Sequence, residues 1–368
     1  MFRTARWLAL TVIVVIAGLV MGLWVEHCTA LTLPKPTGRF AIGRNVAEWR
    51  DANRELLIWM WYPTENDARG SNEYLPAATR SVIENARPRV INFLTRDLAN
   101  VHGNAVWNAH LLPGSYPVLL MRGGASSPVW NYAALAEDLA SHGYVVVGVD
   151  AAYLTGIVVL PDGRVIRQRP ANDPERCIQR SGQPDNACAA ALVSAWSSHL
   201  TFALDRLAAI DHGEYDLSRA GVFGHSFGGA QALQFCHDDA RCKAGVDIDG
   251  APLGAAVRDG VRQPFLFLLS DHTGEPGSTE IIADVHAIYD RLPAGRRRLV
   301  VIPGANHFAF SDDGALLKSG VFRLALRVFG RFRIDSRRHL AITRDELRGF
   351  FDVQLPPRRK DSRTTTDR

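Results

Sequence analysis

The chain has 368 residues, of which 47% are hydrophobic and 22% charged, an ordinary globular composition that can bury one large core. Its formal charge is only +4. Residues 356–368 hold five basic and two acidic residues of that balance, so the charge gives no support to nucleic-acid binding.

In chain order, Arg3 and Arg6 precede an uncharged run over residues 7–25. That run is long for the core of a signal peptide and just long enough to span a bilayer. Cys28-Thr29-Ala30 offers small residues for signal cleavage after Ala30. Residues 1–30 are therefore expected to be a signal peptide or an N-terminal membrane anchor. With Arg3 and Arg6 on the cytoplasmic side, both readings export the rest. The protein is expected to be periplasmic, secreted, or anchored facing outward. Val25-Glu26-His27 lacks the small residues of a lipoprotein signal, so Cys28 is not expected to carry a lipid. Cleavage would leave Cys177, Cys188, Cys236 and Cys242, two sequence-local pairs that suit disulfides in an oxidising compartment, although four cysteines permit three connectivities. No Cys/His grouping has zinc spacing, and neither metal nor cofactor is implied.

Residues 39–46 and 55–62 read as an antiparallel pair. Residues 64–113 are irregular and read as an insertion with one helix near 81–98. A short buried-type strand at 117–121 ends in Arg122-Gly123-Gly124, and a helix over 130–142 stops at Gly143. The continuous apolar run 144–149 suits a parallel strand covered on both faces. Residues 151–187, rich in Pro, Gly and charge, form a second insertion, and both insertions are candidate lids. Helical periodicity returns over 189–210. A strand then leads to residue 225, a helix runs to about 236, and strands at 244–248 and 264–269 end at Asp249 and Asp271. A helix over 279–292, a strand over 298–302, a loop carrying His307 and a closing helix over 314–330 follow. Residues 352–368 read as a basic disordered tail. Strands alternating with helices mean a mostly parallel sheet flanked by helices, with one domain over 31–351.

The chemistry centres on Gly224-His225-Ser226-Phe227-Gly228-Gly229, which follows an apolar strand and opens a helix. That is a G-x-S-x-G nucleophile elbow in its required context, and it points to an α/β-hydrolase fold. Gly224 and Gly228 avoid collisions around a sharp turn that keeps the Ser226 hydroxyl exposed, and Gly229 lets the helix sit close to the sheet. Phe227 N–H would face the carbonyl oxygen of a bound ester. Serine needs a base, usually histidine oriented by a carboxylate, in the chain order Ser, Asp or Glu, His. His307, after the last core strand, fits the base. The side chain of His225 is expected to pack behind the serine, and His199, His272 and His286 lack a comparable position. Asp249 and Asp271 both stand at strand ends suited to the acid, and position alone leaves them level. Asp247 lies one step further back and is expected to be buried in the sheet.

Four pieces together resemble the platelet-activating-factor acetylhydrolase group of α/β-hydrolases, related to dienelactone-hydrolase-like and cutinase-like branches. They are Gly-His-Ser-Phe-Gly-Gly at 224–229, Asp-Leu-Ala-Ser-His-Gly-Tyr at 138–144, Asp249 with Pro-Leu-Gly at 252–254, and His307 with Phe308. The resemblance covers about half of the chain and leaves out the N-terminal insertion, residues 151–187 and the tail. It implies an acid after the strand following the elbow, which favours Asp249. Relatives carry His-Gly where this chain has Arg122-Gly123-Gly124; the oxyanion hole needs only a backbone N–H, so Gly124 can pair with Phe227. Arg122 would then hold the loop, bind an acidic substrate group or form a surface ion pair. Trp130 would line the acyl site or pack on the core.

The expected activity is two-step hydrolysis of short-acyl or lipid-like carboxylic esters by Ser226, His307 and Asp249. The partners expected are a small-molecule or lipid ester and, through residues 7–25, a membrane. Two rivals are a cutinase-like polyester hydrolase using Asp271 and a non-catalytic binding protein on the same fold.

Overall fold

The computed structural model describes residues 2–94, 96–177, 185–272, 278–316 and 335–357. Thirteen strands are present among them: β1 Leu31–Thr32, β2 Ala41–Arg50, β3 Glu55–Thr64, β4 Val101–His102, β5 Ala105–Trp107, β6 Tyr116–Arg122, β7 Val145–Ala151, β8 Ile157–Val159, β9 Val165–Arg167, β10 Tyr215–His225, β11 Cys242–Ile248, β12 Phe265–Leu269 and β13 Arg297–Val301. Nine of them form the central sheet in the order β13-β12-β11-β10-β6-β7-β3-β2-β5. Every neighbouring pair from β13 to β7 is parallel, and β3 and β2 add an antiparallel hairpin. The elbow strand β10 lies in the middle, where Gly224 faces Arg122 on one side and Asp247 on the other.

The strands are apolar because both faces are covered; all seven residues of β7 are buried. Alternate residues go to opposite sides. Leu119, Met121, Val146, Phe223 and Val246 pack with the helix Ala133–Ser141 and the C-terminal helix Ser336–Gln354. Val118, Leu120, Val145, Val147 and Val222 pack with Leu200, Leu204 and Leu207 of the helix Asn186–Ile210 and Leu233 of the helix Phe227–Asp238. Both local cysteine pairs are bonded, Cys177–Cys188 and Cys236–Cys242, and Cys28 is free.

Several expectations need correction. The single helix near 81–98 is two, Ala77–Ala86 and Arg89–Leu94, because Pro88 disfavours helical geometry at the residue before it. Residues 64–113 do not lie wholly outside the sheet, since β5 pairs with β2 as its last strand. The closing helix over 314–330 falls almost entirely outside the described residues. The helix that closes the domain is Ser336–Gln354, which begins at an Asp335 cap and extends past the expected start of the tail at 352. Residues 358–368 lie outside the described residues.

At the other end, the helix Phe2–Cys28 carries a 24-residue apolar stretch, Ala5–Cys28, none of whose residues is buried. It is long and apolar enough to cross a membrane. Its last turn is tied to the domain. Arg96 Nη1 donates to the carbonyls of Glu26 and Thr29, both at 3.0 Å, Asp97 N–H donates to His27 O at 3.1 Å, and Trp24 stacks on Phe93.

Candidate active site

The site stands at the C-terminal edge of the parallel strands, where β10 turns into the helix Phe227–Asp238. Ser226 holds φ 56 and ψ −125, a strained geometry for a residue with a side chain. The neighbouring glycines make it possible. A Cβ on Gly224 would lie 2.1 Å from Gly228 O, and one on Gly228 would lie 2.3 Å from Gly123 O. The Phe227 N–H opens the helix and so lacks an intrahelical acceptor.

His307 Nε2 is 3.0 Å from Ser226 Oγ, and His307 Nδ1 is 2.7 Å from Asp249 Oδ2. An ionised carboxylate only accepts, so Nδ1 carries the proton and Nε2 is left to accept from the serine hydroxyl. Burial alone would raise the Asp249 pKa. Hydrogen bonds from His272 and His307, helped by Ser270 N–H, outweigh it and hold the carboxyl well below the usual carboxylate range. The arrangement can withdraw the serine proton and keep the resulting imidazolium beside a fixed negative charge.

Asp271, the other acid weighed from the sequence, does something else. Its Oδ2 accepts Gly304 N–H at 2.9 Å, and its own N–H donates to Ala305 O at 3.2 Å. It thereby braces the loop that carries His307. His272 was passed over in the sequence, yet its Nε2 lies 2.9 Å from Asp249 Oδ1. Its place beside Asp271 at the end of β12 was the only available signal. His199 is held down to about 4 by burial, and His286 lies on the helix Ser278–Tyr289 beside Asp290.

His225 does more than pack behind the serine. Its Nε2 faces His307 O at 2.8 Å and its Nδ1 faces the Tyr132 hydroxyl at 2.8 Å. A carbonyl only accepts, so Nε2 carries the proton. Burial, with His307 adding to it, pushes the His225 pKa down to about 3, so the ring is neutral and Nδ1 accepts from Tyr132. The Tyr132 oxygen in turn accepts Gly124 N–H at 3.2 Å. The expected oxyanion donor Gly124 thus already shares its proton with Tyr132, and the same chain of bonds links that loop to the backbone of His307.

Arg122 is neither a surface ion-pair residue nor open to substrate. It is 3% exposed, its Nε donates to Gln231 Oε1 at 2.8 Å, its Nη1 donates to Val149 O, and its guanidinium lies over Trp196. Trp130 is buried in the core with its ring edge against Tyr74. Around Phe227, an apolar cluster includes Trp196, Ala230 and the buried Cys177, with Ala125, Leu154 and Leu253 against it. Phe308 stands 71% exposed with its ring edge on His307. Among the described residues no group of three or more His, Cys, Asp or Glu could hold a metal ion.

Asp247 lies fully buried below Asp249, its Oδ1 accepting Gly250 N–H at 2.8 Å. Burial, reinforced by the nearby Asp249, pushes its pKa up to about 8. A folded-state pKa raised this far contributes stability that is complete below the unfolded value of about 4 and lost as pH rises through about 8. Asp247→Asn removes that titration. Wild type should therefore lose melting temperature relative to the variant between about pH 6 and about pH 9. Calorimetry at the two pH values checks it, and an unchanged difference would count against a neutral Asp247.

The family model for platelet-activating factor acetylhydrolase, isoform II, matches residues 26–153 and 201–356, running through the 64–113 segment that the motif resemblance left uncovered. The platelet-activating factor acetylhydrolase of Cavia porcellus is 23% identical over 315 residues, covering 76% of this chain and 69% of the relative. A probable 1-alkyl-2-acetylglycerophosphocholine esterase of Arthroderma benhamiae is 26% identical, covering 89% of each chain. Among solved structures, a ferulic acid esterase from Streptomyces cinnamoneus superposes with a TM-score of 0.74 at 26% identity, covering 92% of this chain and 97% of its own.

Proposed function

The chain belongs to the platelet-activating factor acetylhydrolase, isoform II, family and is a carboxylic ester hydrolase, and from that premise we propose that it cleaves short-acyl, lipid-like esters through Ser226, His307 and Asp249. The observation that carries the reading is the continuous path from Ser226 Oγ through the His307 ring to Asp249, with contacts of 3.0 and 2.7 Å. Ser226 attacks the ester carbonyl as His307 takes its proton, and Asp249 holds the imidazole and stabilises its charged form. The oxyanion is met by Phe227 N–H and by Gly124 N–H as it shifts from Tyr132. The alcohol leaves with the proton from His307. Water then releases the acyl group by the same proton path in reverse.

A second acyl preference is favoured by one observation. It is the similarity to the ferulic acid esterase, which is consistent with an aromatic acyl group here; the elbow itself carries a buried aromatic pair, Trp196 meeting Phe227 edge to face at 5.1 Å. The polyester reading that assigns the acid to Asp271 has less support, because the Asp271 carboxylate accepts Gly304 N–H and the His307 Nδ1 proton goes to Asp249. Initial rates on an sn-2 acetyl phospholipid, methyl ferulate and polyester film distinguish the three. The lipid-ester reading requires the phospholipid to have the highest kcat/KM and is sunk if it is not turned over.

Export is supported by the two disulfides and the apolar N-terminal helix. Retention of that helix as an outward-facing anchor is supported by the bonds that Arg96 and Asp97 make to its last turn. Intact mass of the membrane fraction tests it, since a chain beginning at Leu31 would refute the anchor.

A further inference from the structure

Resting on the catalytic reading above, we propose that His272 is a positioning residue that orients the acid Asp249 toward His307. Asp249 is buried, at φ 55 on the end of β11. Its two oxygens are equivalent, but the plane in which the carboxylate lies can turn about the last side-chain bond. The end of β12 fixes that plane. Ser270 N–H donates to Oδ1 at 2.6 Å and His272 Nε2 meets the same oxygen at 2.9 Å, leaving Oδ2 to His307 at 2.7 Å.

The protonation follows from the partners. Asp249 accepts only, so His272 carries its proton on Nε2 and Asp249 lies between two imidazole N–H groups. The His272 side chain is 10% exposed and that of Asp249 is fully buried, so water competes weakly for this bond. Asp271, between Ser270 and His272, adds the complementary contact through Gly304 and Ala305, three and two residues before His307. One strand end thus holds the acid by its flanking residues and the loop of the base by its middle residue. His272 acts through Asp249, on the far side of the carboxylate from His307.

The test uses the detergent-solubilised full chain with p-nitrophenyl acetate, comparing wild type, His272→Phe, His272→Gln and Ser226→Ala. His272→Phe is expected to lower kcat about 10- to 100-fold with KM unchanged, the worth of one charge-assisted hydrogen bond. His272→Gln keeps an N–H near the Nε2 position and should stay within about threefold of wild type. The low-field proton resonance of His307 Nδ1–H should move in His272→Phe and persist in His272→Gln, which a merely structural role would not produce. A kcat for His272→Phe within about twofold of wild type, or a glutamine variant no better than phenylalanine, would overturn the assignment. Should His272→Phe fold poorly, His272→Ala with added imidazole replaces it: recovered turnover supports the role and no recovery overturns it. Ser226→Ala separates the two readings, because turnover surviving there refutes the catalytic proposal rather than the role of His272.

Discussion

Ser226→Ala is expected to abolish ester hydrolysis, lowering kcat by about 10⁶, because it is the Ser226 hydroxyl that stands against His307 Nε2 among the described residues. The fold should tolerate the change. Alanine is smaller than serine, the strained φ of 56 is already imposed by the turn, and the backbone bond from Ser226 N–H to Ile248 O does not involve the side chain. The melting temperature should stay near that of wild type while a fluorophosphonate probe, which adds the mass of one adduct to the active chain, adds none to the variant. Intact mass and initial rate on the same preparation read both quantities. A variant that still forms the adduct, or still turns over ester at a rate near wild type, would place the nucleophile elsewhere.

Asp249→Asn should cost about 10⁴ in kcat, and the reason is specific to this site. An amide has one accepting and one donating end. Among the described residues the Oδ1 position faces two donors, Ser270 N–H and His272 Nε2, whereas the Oδ2 position faces His307. The amide oxygen is drawn to the two donors, which turns the NH₂ toward His307 Nδ1. That nitrogen must then give up its proton and accept, so Nε2 becomes protonated and cannot receive the proton of Ser226. Asp271→Asn retains an acceptor for Gly304 N–H and is expected to stay within about tenfold of wild type. Parallel measurements of kcat on a short-acyl ester decide the matter. A larger loss for Asp271→Asn than for Asp249→Asn would move the acid to β12.

The elbow was legible in the sequence because everything that makes it is contiguous: an apolar strand, two glycines where a Cβ would strike backbone, and a helix that opens at Phe227. The parallel sheet was legible for a similar reason, since each strand carries its own apolar run between breakers. Local spacing suggested Cys177 with Cys188 and Cys236 with Cys242 among three possible connectivities, and the structure bonds those two pairs. The C-terminal helix Ser336–Gln354 was missed because its exposed face is dense in charge and its core contacts, Leu340, Leu347, Phe350 and Phe351, show their spacing only once a partner face exists. For Arg122 the sequence left a loop contact, an acidic substrate group and a surface ion pair open, because a guanidinium is rarely buried; the carbonyl of Val149, the amide of Gln231 and the nearby Asp150 charge make its burial tolerable.

Which carboxylate serves His307 is the clearest division. Asp249 and Asp271 end neighbouring parallel strands, about 4.8 Å apart in the sheet, and chain position treats them alike. The amino-acid sequence marked Ser226 and His307 as the proposed nucleophile and base and laid out the sheet that presents them, because the elbow is contiguous, each strand carries its own apolar run, and His307 follows the last core strand in chain order. The tertiary structure set Asp249, which the family resemblance had favoured, against His307, and it alone set Asp271 against Gly304 and His272 against Asp249, because each of these hydrogen bonds depends on strand register and on where a distant loop comes to rest.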